Sequence, residues 1–194
     1  MRAFKAFNKD MTCTLGKGEY QYRIGGTYTE DKAQARQTGF HAAEYVLDCL
    51  TYYNFNTCRI CEVEAAGDID EDGDNTKIAC THLTILRELS REEVILEAMR
   101  YLAHHPRFED RTYVVRNQGE ADKGIIIVRG AHPAAAGKSG DILGLMEERR
   151  GKLKAVAIYT VGHGDIEPGV YYDIDGKEVK KGAEKGRLKK ITGH

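Results

Sequence analysis

The stretch GFHAAE at residues 39–44 constrains this chain most, because it joins two kinds of secondary structure. An apolar segment around Phe40 runs straight into residues 45–53, whose apolar positions fit one face of a helix. We expect a strand that turns directly into an amphipathic helix. His41 stands at that junction, where the N–H groups of a helix start and a titratable ring can meet a ligand. The sequence therefore predicts a ligand site near residue 41.

The composition is that of an ordinary globular protein. The chain has 194 residues, of which 41% are hydrophobic and 30% charged, and its net charge is −1. This length fits one large domain or two small ones, and the charge balance disfavours nucleic acid as a partner. No apolar run approaches the roughly 18 residues of a membrane span. We expect a cytoplasmic protein without a membrane partner, whose five cysteines are reduced thiols.

The N-terminal half alternates strand-like and helix-like patterns. Residues 20–24 and 27–29 read as strands joined at Gly25-Gly26, which predicts a hairpin. Ser90 and Glu93 form a capping-box signature, and the apolar residues that follow repeat at helical spacing. Together with residues 45–53, this pattern predicts two main helices beside a mixed or antiparallel sheet.

The sequence changes character after residue 110. Short apolar runs alternate with Gly-rich turns, including hairpin loops at residues 149–152 and at Asp175-Gly176. We expect an α+β domain at residues 1–110, a small, mostly antiparallel β unit at 111–180 and a flexible tail at 181–194.

Three motifs invite a chemical interpretation that their details disfavour. Residues 130–139 resemble a phosphate loop, but six residues separate the glycines where four are needed, so we interpret the stretch as a surface turn. Residues 68–74 match half of a calcium loop, and the twelfth position is Ala79, which offers no ligand. Cys58 and Cys61 have zinc-like spacing but point to opposite faces of a predicted strand. The sequence therefore predicts no metal site.

The residues around His41 suit an anionic, planar ligand. A carboxylate one turn into the helix could orient the ring, lysines on the first strand could neutralise phosphate, and tyrosines could stack on a base. The predicted ligand-binding set is Lys5, Lys9, His41, Glu44, Tyr52 and Tyr53. A histidine that is only hydrogen-bonded at a strand–helix corner would show the same pattern, so both interpretations stay open.

Two resemblances add context to these residues. FKAFNKDMTC at 4–13, GFHAAE at 39–44 and CEVE at 61–64 resemble an uncharacterised domain family found largely in phage and prophage proteins. Residues 136–141 and 170–173 are similar to a β module that closes such proteins. The family pattern usually has a cysteine where this chain has Ala43, which argues against thiol chemistry there. More loosely, residues 39–64 resemble the ADP-ribosyltransferase fold, which would imply NAD as a cofactor held by His41 or Lys5. Glu62 and Glu64 lie on the wrong strand for the usual catalytic carboxylate of that fold, which leaves Asp74 as the candidate.

These observations predict a phage-type accessory protein that binds, and could sequester, a small anionic nucleotide-like ligand without turnover and without a cofactor. The alternatives are an NAD-using ADP-ribosyltransferase-like enzyme and a host-protein-binding module that uses the open edges of the C-terminal β unit. The sequence leaves homo-oligomer formation open.

Overall fold

The computed structural model describes residues 1–13, 19–71, 73 and 75–182. The chain divides into two compact units, Met1–His104 and His105–His194. Of the predicted flexible tail, residues 183–194 lie outside the described residues, as do Asp72 and Asp74 of the predicted acidic loop.

Strands form most of the first unit. They are β1 (Arg2–Phe7), β2 (Thr12–Cys13), β3 (Tyr20–Gln21), β4 (Thr27–Thr29), β5 (Phe40–Ala43), β6 (Arg59–Glu71) and β7 (Lys77–Glu88). A 3-10 helix, Val46–Thr51, follows β5, and an α-helix, α1 (Arg91–His104), follows β7.

Four of these strands close into a small barrel-like ring. β7 pairs with β6 along one edge and with β5 and β4 along the other, while β1 lies between β5 and β6. Every pairing in this sheet is antiparallel. The ring encloses an apolar core that includes Phe7, Phe40, Val63, Leu83 and Ile85. Closure leaves few unpaired strand edges, which is how small β-proteins avoid exposing them.

The α-helix begins and ends as its sequence predicts. The amide of Ser90 donates to Glu93 Oε2 (2.7 Å) and the amide of Glu93 donates to Ser90 Oγ (3.1 Å), so the capping box forms. The helix ends at His104, just before Pro106. Its buried residues include the apolar stripe that the sequence indicates, Ile95, Ala98, Met99 and Leu102.

The predicted α+β class with two main helices is wrong. Among the described residues strands predominate, and α1 is accompanied only by the short 3-10 helix. The 3-10 helix occupies the position of the predicted amphipathic helix. Soon after it, the amides of Thr57 and Cys58 donate to the carbonyl of Asn54, in a turn that leads into β6. The predicted hairpin at Gly25-Gly26 is also wrong, because β3 pairs with β2 and β4 pairs with β7.

The second unit is a six-stranded sheet. Its strands are β8 (Val114–Glu120), β9 (Ile125–Ala136), β10 (Ile142–Arg149), β11 (Lys152–Thr160), β12 (Tyr171–Asp173) and β13 (Glu178–Val179). The sheet is mixed, since β8 and β10 both run parallel to β9. The turn at Arg150-Gly151 joins β10 to β11 with positive φ at both residues, as the favoured two-residue hairpin requires.

One motif in this unit has a different structure from the one its sequence predicts. Residues 130–136 belong to strand β9 and not to a surface turn. The strand continues through Pro133. Proline has no N–H to donate, so it is normally excluded from fully paired central positions of a sheet. In the part of the chain that the structure describes, no helix is long and apolar enough to cross a membrane.

We predict that Ser90→Ala lowers the free energy of unfolding by about 1 kcal/mol, because the cap acceptor for the Glu93 amide is lost. Urea denaturation of the full chain measures the change. Ser90→Asp is the matched control, since aspartate also accepts at an N-cap. Equal stability of Ser90→Ala and the parent chain would contradict a role for this cap.

We also predict an acid-sensitive contribution from Glu62, whose pKa is lowered by the hydrogen bond from Arg2, with Arg87 nearby. A carboxyl with a depressed folded-state pKa contributes stability above its unfolded pKa of roughly 4.3. That contribution is lost as pH falls through the folded-state value. Denaturation at a series of pH values should show stability falling with acid below about pH 4, with a shallower fall in Glu62→Gln. The exposed neighbour Glu64→Gln should keep the parent slope, and an unchanged slope in Glu62→Gln would contradict this assignment.

Candidate functional site

The candidate site opens at a seam in the ring of the first unit. The ladder between β1 and β5 has one register pair, Phe4 with Ala43. Beyond it, the ammonium of Lys5 donates to the backbone carbonyl of His41 over 2.7 Å. A side chain therefore bridges the two strands where a backbone ladder would otherwise continue.

Lys5 lies on the inner side of its strand. Because side chains alternate along a strand, Lys5 shares a face with Ala3 and Phe7, which are fully buried in the core of the ring. Its Nζ lies 5.7 Å from the ring centroids of both Phe7 and Tyr22. The cation–π contacts and the bond to His41 offset part of the cost of desolvating the ammonium.

A cavity of about 500 Å³ occupies this seam, within the range of small-molecule sites. Its wall comes from β1, from residues 35–43 that lead into and form β5, from the 3-10 helix and from the start of β7. The described polar and aromatic lining residues are Lys5, Cys13, Glu19, Tyr20, Tyr22, Glu30, Arg36, Gln37, Thr38, Phe40, His41, Asp48, Cys49, Tyr52, Tyr53 and Lys77.

One side of the cavity is an aromatic cluster. Tyr22 packs with its ring centroid 4.8 Å from Tyr20, 4.9 Å from Tyr28 and 5.1 Å from Phe7. Burial raises the pKa of Tyr22 far above its ordinary value, so the phenol is neutral. Tyr20 is 40% exposed and offers a ring to a ligand that enters the cavity.

A second aromatic residue of the cavity, Tyr52, has a lysine ammonium over its ring. Lys77 Nζ lies 4.6 Å from the ring centroid of Tyr52, which is 61% exposed. Nearby, the carboxylate of Asp48 accepts from both the amide and the hydroxyl of Thr76 (3.1 and 2.7 Å). These bonds hold the chain just before Lys77 in place.

The charged lining is balanced, and two of its residues, Lys77 and Glu30, are positioned by different parts of β7. Lys77 pairs with Ala43, whereas the amide of Glu30 bonds the carbonyl of Thr81, four residues further along β7. At about 3.4 Å per residue, these two positions on β7 lie roughly 14 Å apart. A ligand with an anionic group near Lys77 and a donor group near Glu30 would match both.

Two lining groups, the Cys49 thiol and the Tyr53 phenol, are protonated. Burial raises the pKa of Cys49 to about 12, against the opposing effect of Lys5, and its thiol donates to the carbonyl of Phe4. The pKa of Tyr53 is raised by burial and then by its hydrogen bond to Cys13 Sγ (3.4 Å). Cys49 and Tyr53 are therefore poor nucleophiles at neutral pH.

The structure brings together four of the six residues that the sequence singles out. Lys5, His41, Tyr52 and Tyr53 all line the cavity. Lys9 is exposed in the turn after β1, and Glu44 is exposed on the far side of the junction; neither is among the lining residues. Lys5 bonds the backbone of His41, whereas we expected it to act beside the imidazole.

The start of the 3-10 helix is also used differently from the expectation. The amide of Glu44 donates to the carbonyl of Thr76 (3.0 Å), and the amide of Tyr45 donates to the side-chain hydroxyl of Thr76 (2.8 Å). These two amides, which precede the helix, are therefore engaged within the fold.

Sequence reasoning missed several lining residues, chiefly Tyr20, Tyr22, Arg36 and Lys77. Tyr20 and Tyr22 were assigned to a hairpin that does not form, and Lys77 reaches the site through long-range pairing of β5 with β7. One signal was present in the sequence: Lys5 interrupts an otherwise apolar face between Ala3 and Phe7.

Two of the three carboxylates considered for the NAD-using alternative lie away from the cavity. Glu62 is paired with Arg2 and Arg87, Glu64 is exposed on β6, and neither lines the cavity. Asp74 lies outside the described residues. Within the described ranges, no cluster of three or more His, Cys, Asp or Glu side chains could hold a metal ion.

Comparison with known proteins identifies a family for the first unit. No curated protein and no solved structure matches the chain. The model of one family, described as a domain of unknown function (DUF7666), matches residues 1–97, a span that contains the ring and every described lining residue of the cavity. The chain therefore belongs to the DUF7666 family.

Proposed function

We propose that the first unit binds a small, planar, anionic ligand of the nucleotide type and does not transform it. The observation that carries this proposal is the inward-facing Lys5, whose ammonium lies at a cavity between aromatic rings. The resemblance of the sequence to phage-encoded domains supports a role as a phage accessory protein, which could use such a site to sequester a host nucleotide.

Placing a lysine on the inner face of a small ring costs stability unless the charge is used. An aliphatic residue at position 5 would continue the apolar face of Ala3 and Phe7 without desolvating an ammonium. An anionic ligand in the seam would gain a charge-assisted hydrogen bond from Lys5. Ligand binding would therefore give the charge of Lys5 a role beyond the hydrogen bond that bridges β1 and β5.

The aromatic rings supply the complementary surface for a base. Tyr52 and Tyr20 expose much of their rings beside the cavity, and stacking on a base stabilises by about 1–3 kcal/mol per ring. Lys77, over the ring of Tyr52, would place a cation next to a stacked base, where the phosphate of a nucleotide lies.

The protonation of two lining groups supports binding without turnover. Cys49 and Tyr53 are protonated at neutral pH, and Asp48 is engaged with Thr76. A general base or nucleophile needs a pKa near the working pH or an activating partner. The lining is better suited to hold a ligand than to attack it.

We predict that Lys77→Gln weakens AMP binding about tenfold, because one charge-assisted hydrogen bond to phosphate is lost. Isothermal titration of the full chain with AMP, repeated with adenosine, measures the change. Adenosine has no phosphate, so its affinity should change little. Lys9→Gln is the matched control, since Lys9 is exposed and does not line the cavity.

Three outcomes would contradict the proposal. The first is no saturable binding of AMP or adenosine, combined with no co-purified small molecule in native mass spectrometry. The second is an equal loss in Lys9→Gln and Lys77→Gln, which would indicate general surface charge. The third is release of nicotinamide from NAD, which would favour the transferase alternative. Recovery of unchanged AMP after heat denaturation supports a binding protein.

A further inference from the structure

We propose a second, independent site in the C-terminal unit that binds a small oxyanion of the phosphate type. It lies in a cavity of about 300 Å³ beside strand β9. The residues that define it are Arg116, Asn117, Arg129, Gly130, Ala131 and Glu148. It includes the start of the glycine-rich stretch at 130–139, which the proposed nucleotide site does not use.

The centre of this site is a buried arginine. The side chain of Arg129 is 6% exposed, and its Nε and Nη2 both donate to Glu148 Oε1, over 2.9 and 2.5 Å. These bonds engage one edge of the guanidinium. We infer that Nη1 is the nitrogen available to a ligand in the cavity.

The charges at the site do not cancel. Arg116 Nη1 lies 3.5 Å from Glu148 Oε2, so two guanidinium groups share one carboxylate. Arginine remains charged in proteins, which leaves this group with a net charge of +1. Because Arg129 is desolvated, an anion that completes the set would be held more strongly than at an open surface.

The pairing of strands is interrupted at the same place. The pairing of β8 with β9 stops at Arg116–Arg129 and resumes at Gln118–Ala134, while β10 pairs with β9 only as far as Gly130. No described strand has a register partner for residues 131–133. The ladder is therefore interrupted at Ala131, which lines the cavity.

Gly130 and Asn117 fix the shape of this bulge. A Cβ on residue 130 would lie 2.4 Å from Asn117 Oδ1, so a larger residue there would require the Asn117 side chain to shift. Asn117 has a φ of 67°, a region that asparagine tolerates better than most residues. A tetrahedral oxyanion has enough acceptor oxygens to contact Arg129, Arg116 and a backbone amide together, whereas a carboxylate has two oxygens.

Titration of the full chain with sodium phosphate tests the proposal. Two-dimensional ¹H–¹⁵N NMR at constant ionic strength should show saturable shifts centred on the amides of Asn117, Gly130 and Ala131. Arg116→Gln should weaken phosphate binding about tenfold without unfolding the unit, since its side chain is 68% exposed. Arg111→Gln removes an arginine of the same unit that is 89% exposed and outside the cavity, and it should bind as the parent does.

A parallel titration with sodium acetate separates the two oxyanion classes. Weaker binding of acetate than of phosphate supports the assignment, and tighter binding of acetate overturns it. The proposal also fails if the amides of Asn117, Gly130 and Ala131 show no saturable shifts, or if Arg116→Gln binds phosphate as the parent does. None of these outcomes depends on nucleotide binding by the first unit.

Discussion

The incomplete seam between β1 and β5 is the constraint on which the first unit depends. A four-stranded antiparallel ring closes only if each strand finds two neighbours, and β7 achieves this by pairing along both edges. β1 and β5 share one register pair, so backbone pairing alone does not close the ring. The Lys5–His41 bond closes part of the gap with a side chain. The cavity therefore follows from how the ring is closed, and the same lysine stabilises the seam and charges the cavity.

The parts of the fold that the sequence predicted are those set by local interactions. The Ser90–Glu93 capping box and the helical spacing behind it depend on residues a few positions apart, and α1 forms as expected. The turn at Arg150-Gly151 is confirmed for the same reason. The predicted hairpin at Gly25-Gly26 failed because long-range pairing took both of its strands. The prediction of a longer helix at residues 45–53 is wrong, because the chain must soon turn back to enter β6.

The predictions for the candidate site follow the same distinction between local and long-range interactions. Residues adjacent to the strand–helix junction, His41, Tyr52 and Tyr53, line the cavity, because the junction itself was correctly located. Lys9 was included for its charge and its closeness to Lys5 in sequence, but β1 ends at Phe7 and the chain turns away. Lys77 reaches the cavity only through the register of β5 with β7. A single sequence contains no local pattern that specifies such a register.

The way Lys5 is held bears on how the site would work. An ammonium on a flexible four-carbon chain loses side-chain entropy when a ligand fixes it. Here the bond to His41 and the flanking rings of Phe7 and Tyr22 fix the ammonium before any ligand arrives. Part of that entropic cost is therefore met during folding, and Lys5 already lines the cavity. Preorganisation of this kind increases affinity without requiring a reactive group, which is consistent with a lining whose Cys49 thiol and Tyr53 phenol remain protonated.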